Sequence, residues 1–201
     1  SNEFSGSAFY LFNDDSLTGD TLEGDTVITD PFDKKNWGFD FSGPIIKDKL
    51  FFTVAYEETD ESGVQNTGPI GGGYANEDFL TIDDANTIRD ILINQYARDP
   101  GTIVRNLPQT SERIFVRLDW NITDRHNAAL IYNYFDGFQD RDSDGDSNEF
   151  EFANHFYKKG AESETTTFRL VSDWTDRLST ELFYSMNTMD DSQVTVGPKD
   201  F

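Results

Sequence analysis

The sequence predicts an all-β fold, a portion of a transmembrane antiparallel β-barrel, and three observations support this. About seven segments of roughly 9 to 12 residues alternate apolar and polar side chains, a length typical of tilted bilayer-spanning strands. Very short turns and very long polar loops join these segments alternately. No run on the order of 18 apolar residues is present, so no transmembrane helix is predicted.

The composition limits the classes of function. The 201 residues include 16 Lys and Arg against 38 Asp and Glu, a net charge of −22. So negative a chain is unsuited to binding nucleic-acid phosphates. Aromatic residues make up 14% of the chain, which is too apolar for a disordered acidic tail. The absence of cysteine excludes disulfides, thiolate zinc sites and a Cys nucleophile, and leaves the redox compartment open.

The first strands are predicted from residues 3–13 and from a hairpin of residues 37–42 and 50–57. Aromatic residues occupy alternate positions of the hairpin's first strand, and residues 43–49 form its turn.

Two further hairpins share one design. Residues 113–121 and 127–136 form the first, and residues 168–174 and 181–187 form the second. In both, Asp-Trp precedes Thr-Asp-Arg, so each hairpin carries a Trp at the same end. The turns, at 122–126 and 175–179, take about five residues each.

The alternation assigns the two faces of the sheet. In hydrocarbon every backbone amide must be paired, so a membrane sheet closes on itself with apolar side chains outward and polar ones inward. An Arg on the lipid face would cost up to about 2 to 4 kcal/mol at mid-depth, and an acid somewhat less. The charged residues predicted to face the lumen are Arg117, Asp119, Arg169, Asp173 and Glu181. Trp120, Trp174, Trp37 and Tyr56 are predicted to form interfacial girdles.

Long acidic loops near 14–36, 60–110 and 137–165 are expected on the extracellular rim, and the short turns on the periplasmic rim. One segment departs from the β pattern. Near 84–98, apolar residues follow an i, i+3, i+4 spacing after an acidic first turn, and Asp-Pro-Gly ends the run. A helix is therefore predicted there, folding its loop over the barrel mouth. His126 and His155 should lie on opposite rims, too far apart for a shared zinc site or catalytic dyad.

Residues 140–151 match the calcium-loop pattern Asp-x-Asp-x-Asp-Gly followed by Glu. Ca²⁺ takes six to eight oxygens at about 2.3 to 2.6 Å, which alternate carboxylates on a tight loop can supply. The predicted ligands are the side chains of Asp140, Asp142 and Asp144, the backbone carbonyl of Asp146, and a bidentate Glu151. The alternative is a solvated acidic loop that holds ions only diffusely.

Three segments resemble one family. Residues 1–9, Ser-Asn-Glu-Phe-Ser-Gly-Ser-Ala-Phe, resemble the first barrel strand after the plug of TonB-dependent outer-membrane receptors. Residues 43–52, Gly-Pro-Ile-Ile-Lys-Asp-Lys-Leu-Phe-Phe, are similar to a turn signature of their Oar-like branch, and this block is the most specific. Residues 96–101, Tyr-Ala-Arg-Asp-Pro-Gly, are similar to a loop element of that branch.

The resemblance implies a 22-stranded barrel in the bacterial outer membrane, with a plug and a TonB-contacting segment. Residues 1–201 would be the N-terminal portion of that barrel, with the plug and the remaining strands absent. The implied partners are outer-membrane lipid, TonB through the missing N-terminal region, and an extracellular solute that the sequence does not identify.

The sequence-based hypothesis for function is therefore a receptor that imports a large solute using inner-membrane energy. An alternative is a structural or adhesive surface protein with calcium-bridged acidic loops, and a third is a soluble secreted calcium-binding β-domain. No enzyme is predicted, because carboxylates adjacent in sequence point to opposite faces of a strand and cannot act as an acid and base pair.

Overall fold

The computed structural model describes residues 2–19, 21–26, 31–143 and 148–197. In chain order the strands and the helix are β1 (Ser5–Asp14), β2 (Thr21–Leu22), β3 (Asp25–Thr26), β4 (Asp33–Ile46), β5 (Leu50–Val64), β6 (Thr67–Ile70), β7 (Asn76–Thr81), α1 (Ile82–Tyr96), β8 (Asn106–Thr123), β9 (His126–Arg141), β10 (Tyr157–Thr175) and β11 (Leu178–Thr195). Two short 3-10 turns lie at Asp15–Leu17 and Ala153–His155.

Seven strands form one antiparallel sheet in the order β1-β4-β5-β8-β9-β10-β11. Each long strand pairs with the long strands that precede and follow it in the chain, which is the up-and-down order of a barrel wall. Within the described residues the sheet is open, because β1 and β11 are each paired along one side only. The predicted fold class is confirmed, and this sheet has the predicted seven strands; the short pairs β2-β3 and β6-β7 lie in the loops and were not predicted.

The strands are longer than predicted. The seven strands of the large sheet have between 10 residues, in β1, and 19 residues, in β10, against the expected 9 to 12. The turns are accordingly shorter, at residues 47–49, 124–125 and 176–177. The second and third long loops span 65–105 and 142–156 instead of 60–110 and 137–165. Backbone pairing between strands continues past the apolar segments into polar sequence. Alternation of apolar residues does not mark a strand there, so the sequence underestimates the strand lengths.

The turn between β4 and β5 is hydrogen-bonded to β8 and to the residues that precede β1. Asp48 has a φ of 63°, a left-handed conformation that tight turns require. Its amide donates to Oδ1 of Asn2 at 2.8 Å, and its carbonyl accepts from Nδ2 of Asn121 at 3.0 Å. Three segments far apart in sequence therefore meet at the short-turn rim.

Helix α1 forms in the predicted place but begins two residues earlier. Thr81 is the N-cap, and its side-chain oxygen accepts from the amide of Asp84 at 3.1 Å. Ala97, with a φ of 52°, ends the helix in the left-handed conformation. No helix in the described part of the chain is long and apolar enough to cross a membrane.

The register assigns every strand residue to one of two faces. Leu118 lies opposite Phe52 on one side and Leu130 on the other, so these apolar side chains share the outward face. Arg117 lies between Thr53 and Ile131 on the interior face. The outward face is apolar near the short turns, as the alternation predicted.

The bulkiest buried side chains lie in the long loops, whereas the buried residues of the sheet are small ones such as Ala129, Thr167 and Ser172. Loops 65–105 and 148–156 pack together, and we call them the loop lobe. Its interior contains Pro69, Tyr74, Ala85 and Phe156, all buried. Backbone bonds join the two loops, from Ala153 N to Thr102 O at 2.9 Å and from Asn154 N to Pro100 O at 3.1 Å.

Candidate functional site: the polar interior and the loop-covered rim

Charged side chains on the interior face are paired. Arg117 donates from Nε and Nη2 to the two oxygens of Asp119, both at 2.7 Å. Arg169 donates to Glu181 at 2.6 Å. All four are partly exposed, so each pair is worth about 0 to 1 kcal/mol. Asp173 lies on the same face near the short-turn rim. The five residues predicted to face the lumen thus share the interior face.

Further interior pairs depend on register, which the sequence did not reveal. Arg113 lies directly opposite Glu57 and contacts it at 3.2 Å. Asn36, on the other neighbouring strand, also donates to Glu57, at 2.9 Å. Nearer the long loops, Lys34 lies opposite Glu61 at 2.8 Å. The interior face therefore carries charged pairs among apolar residues such as Phe115 and Ile131, which a water-filled or plugged lumen allows.

Aromatic side chains mark two levels on the outward face. Trp120 and Trp174 lie near the short turns and are 51% and 57% exposed. Trp37 packs on Tyr56 with ring centroids 5.1 Å apart, at the other level. Trp37 shares a register row with Glu112, so the two levels lie about 26 Å apart along a strand, or about 20 Å after a tilt of about 40°. That height approaches the apolar band of about 25 Å in outer-membrane barrels.

The prediction that Trp37 and Tyr56 lie near strand ends was wrong. Both lie well inside their strands, because β4 and β5 continue beyond the apolar band toward the long loops.

The loop lobe is held by specific polar contacts. The hydroxyl of Tyr74 donates to the carbonyl of Val104 at 2.8 Å, and the guanidinium of Arg105 lies 4.8 Å from the centre of its ring. Arg89 on α1 donates to the carbonyl of Gly101 at 2.9 Å. Helix α1 therefore packs within the lobe, and the expectation that it folds over the barrel mouth stays a prediction.

An open cavity of about 570 Å³ lies where the third long loop meets the last two strands. Tyr157, Gln193 and Thr195 line it from the interior face of β10 and β11. Phe150 and Phe152, whose rings meet edge to face at 4.8 Å, line it from the loop. The volume lies within the range of small-molecule sites.

Glu151 organises the third loop. Its side chain is only 4% exposed. One oxygen accepts from the amide of Ser143 at 3.0 Å, and the other lies 3.1 Å from Nδ1 of His155. Both carboxylate oxygens therefore already have partners in the protein, and the contact with Ser143 joins two described parts of the candidate calcium segment.

The other predicted calcium ligands are only partly described. Asp140 is the penultimate residue of β9 and Asp142 follows that strand directly. Asp144 and Asp146 lie outside the described residues. Among the residues that are described, no group of three or more His, Cys, Asp or Glu side chains could hold a metal ion. The calcium site stays a prediction.

The two histidines lie at opposite rims, as expected. His126 begins β9 beside a short turn, where its ring lies 5.0 Å from that of Trp174. His155 lies in the loop lobe beside Glu151.

Residues 1–70 match a family model for an outer membrane beta barrel domain. The matched segment runs from β1 to β6 and includes the first hairpin of the sheet. No curated protein matches the chain, and no solved structure matches it.

The fold and this match together define the class of protein. The chain is part of an outer-membrane β-barrel, and its location is the bacterial outer membrane.

Proposed function

We propose that this chain is the front part of the barrel of a TonB-dependent receptor of the Oar-like type, which binds a large extracellular solute and imports it using energy from the inner membrane. The observation that carries the proposal is the polar interior beneath long folded loops. Outer-membrane barrels whose interior is polar hold water or a plug there, as a receptor that admits a solute requires.

Several features are consistent with this proposal. Two of the three segments that resemble such receptors, 1–9 and 43–52, fall within the residues matched to an outer membrane barrel. The cavity of about 570 Å³ at the long-loop rim opens beside interior-facing side chains, where an entering solute would first make contact. Import requires no bond chemistry in the barrel, so the proposal gives the chain no catalytic residue.

The test compares solute depletion by three strains: wild type, one lacking the complete gene that encodes this chain, and one lacking TonB. We expect mass spectrometry of spent medium to find the same compounds left unused by both mutants. Reintroducing the complete gene should restore depletion in the first mutant only. Depletion that is independent of TonB, or unchanged by loss of the gene, would contradict the proposal.

A structural or adhesive surface protein remains the second candidate, favoured by one observation. The contact between Ser143 and Glu151 joins two described parts of the third loop, whose sequence is rich in acidic residues. Adhesion predicts that loss of the gene reduces calcium-dependent attachment of cells to one another or to a surface, with no compound left unused. Import predicts the reverse.

A further inference from the structure

The open cavity at the long-loop rim combines aromatic rings with neutral polar side chains. Tyr157, Gln193 and Thr195 form one wall, on the interior face of the sheet. Phe150 and Phe152 form a second wall from the third loop, and their rings stand at 83° to each other. A molecule in the cavity therefore meets three aromatic rings, an amide and hydroxyl groups.

The loop lobe holds the second wall in place. The backbone of Phe152 pairs with that of Ile103 in the other long loop. The side-chain amide of Asn154 donates to the carbonyl of Asp99 at 2.7 Å, and Phe156 is buried at 4% exposure. The cavity is thus preformed, so a ligand does not have to order the loop, which would otherwise weaken its binding.

The charges at the cavity favour a neutral ligand. Among the described residues that line it there is no Lys or Arg, the side chains that best bind phosphate and carboxylate groups. Lys159 and Arg141 lie opposite lining residues in the register but do not line the cavity themselves. Of the described lining residues only Glu151 carries a carboxylate, and its two oxygens are engaged by Ser143 and His155. The lining therefore offers neither an anion nor a cation a charged partner.

The polar side chains disfavour a purely apolar ligand. Such a ligand would desolvate the exposed amide of Gln193 without giving it a hydrogen bond. A sugar meets both requirements. The C–H groups of its ring are apolar and pack on the negatively charged faces of aromatic rings, while its hydroxyls donate and accept hydrogen bonds.

A neutral peptide also combines apolar and hydrogen-bonding groups. An extended peptide is commonly bound by adding a strand to a free sheet edge. At Tyr157, however, β10 is paired along both sides, with Arg141 and with Thr195. This wall therefore presents side chains and not unpaired backbone, which suits a sugar better than a peptide.

We propose that the cavity binds one end of a neutral oligosaccharide, with a sugar ring stacked on Tyr157 and its hydroxyls bonded to Gln193 and Thr195. The inference rests on the proposed function, because it names the class of solute that the receptor admits. The open side of the cavity leaves room for the remainder of the oligosaccharide.

The test measures dissociation constants by calorimetry, using the complete gene product in a detergent without a sugar head group. The probes are short glucose, xylose and mannose oligomers, oligomers of uronic acids, and neutral peptides of similar length. The cavity variants are Tyr157→Ala and Gln193→Ala, and Tyr157→Phe retains the ring. The control is Gln109→Ala, because Gln109 is exposed on the interior face in the same register row as Gln193.

We expect at least one of the neutral oligosaccharides to bind wild type, Tyr157→Phe and Gln109→Ala equally, and to bind Tyr157→Ala and Gln193→Ala about 3- to 10-fold more weakly. The proposal is overturned if no neutral oligosaccharide binds, or if the cavity variants bind as wild type does. Tighter binding of uronic-acid oligomers that Lys159→Gln abolishes, or tighter binding of the peptides, would also overturn it. If Tyr157→Ala does not form a heat-modifiable barrel, Gln193→Ala decides.

Solute depletion by the mutant strains separates this inference from the proposed function. If the strains lacking the gene and lacking TonB leave the same compounds unused but none is a carbohydrate, import stands and the oligosaccharide site is refuted. If the oligosaccharide binds through the cavity but is depleted without TonB, the site stands and the proposed import is refuted.

Discussion

Substituting Arg for Val116 tests the assignment of faces quantitatively. Val116 lies in the middle of the apolar band, between Val54 and Tyr132 on the neighbouring strands. The Arg side chain at this position would place a guanidinium in hydrocarbon, which should lower the free energy of unfolding by about 2 to 4 kcal/mol near mid-depth. Because about 1.4 kcal/mol is a factor of ten, the folding equilibrium should fall by about 30- to 700-fold.

The matched control is Asn133→Arg. Asn133 lies directly opposite Phe115, the residue before Val116, and therefore on the interior face at nearly the same depth. Asn133→Arg adds the same charged side chain, but on the interior face. We therefore expect the free energy of unfolding to change by no more than about 0.5 kcal/mol.

The assay is urea titration of the complete gene product in lipid vesicles, with the folded fraction read from its heat-modifiable mobility. The midpoint should fall strongly for Val116→Arg and little for Asn133→Arg. Equal losses for the two variants would refute the assignment of outward and interior faces.

Three further predictions concern the loops. Glu151→Gln should weaken the contact with Ser143 by about 1 to 3 kcal/mol, so that limited proteolysis cleaves the third loop faster while the barrel stays heat-modifiable. Thr81→Ala should cost about 1 kcal/mol through loss of the N-cap bond to Asp84, measured as faster amide exchange confined to α1. If the calcium hypothesis is right, Asp144→Ala and Glu151→Ala should each weaken saturable Ca²⁺ binding by the complete protein; unchanged isotherms would leave the solvated loop as the better description.

The hairpins were predictable because their signal is local. In a strand such as β8 successive side chains alternate between the two faces of the sheet, and a tight turn fixes the register with β9. The faces on which Leu118 and Arg117 lie therefore follow from sequence alone. Helix α1 was predictable for the same reason, since its spacing and its acidic first turn lie within one segment.

The loop lobe was not predictable from local pattern. Tyr74 and Phe156 are buried in the same lobe although more than 80 residues separate them in the chain. The sequence gives no periodic signal for such a contact, because neither residue lies in a repeating apolar pattern. Similarly, the role of Glu151 in closing its loop depends on the backbone amide of Ser143, which every residue type except proline provides.

A row of carboxylates on neighbouring strands is a third case, in which each residue is visible in the sequence but the arrangement is not. Glu112, Asp136 and Glu162 lie in three different strands and look like unrelated surface charges. Only the register of three long antiparallel pairs places them side by side on the outward face.

The most direct test of the central claim is a cysteine scan of residues 114–119 in the complete protein, with any cysteine outside residues 1–201 replaced first, since these 201 residues contain none. Each single-cysteine variant, folded in the outer membrane, is treated with a water-soluble thiol reagent and, separately, with a lipid-confined one. We expect labelling to alternate: lipid-phase reagent at 114, 116 and 118, and aqueous reagent at 115, 117 and 119. Equal access of one reagent to both series would contradict a sheet that has lipid on one face and water on the other.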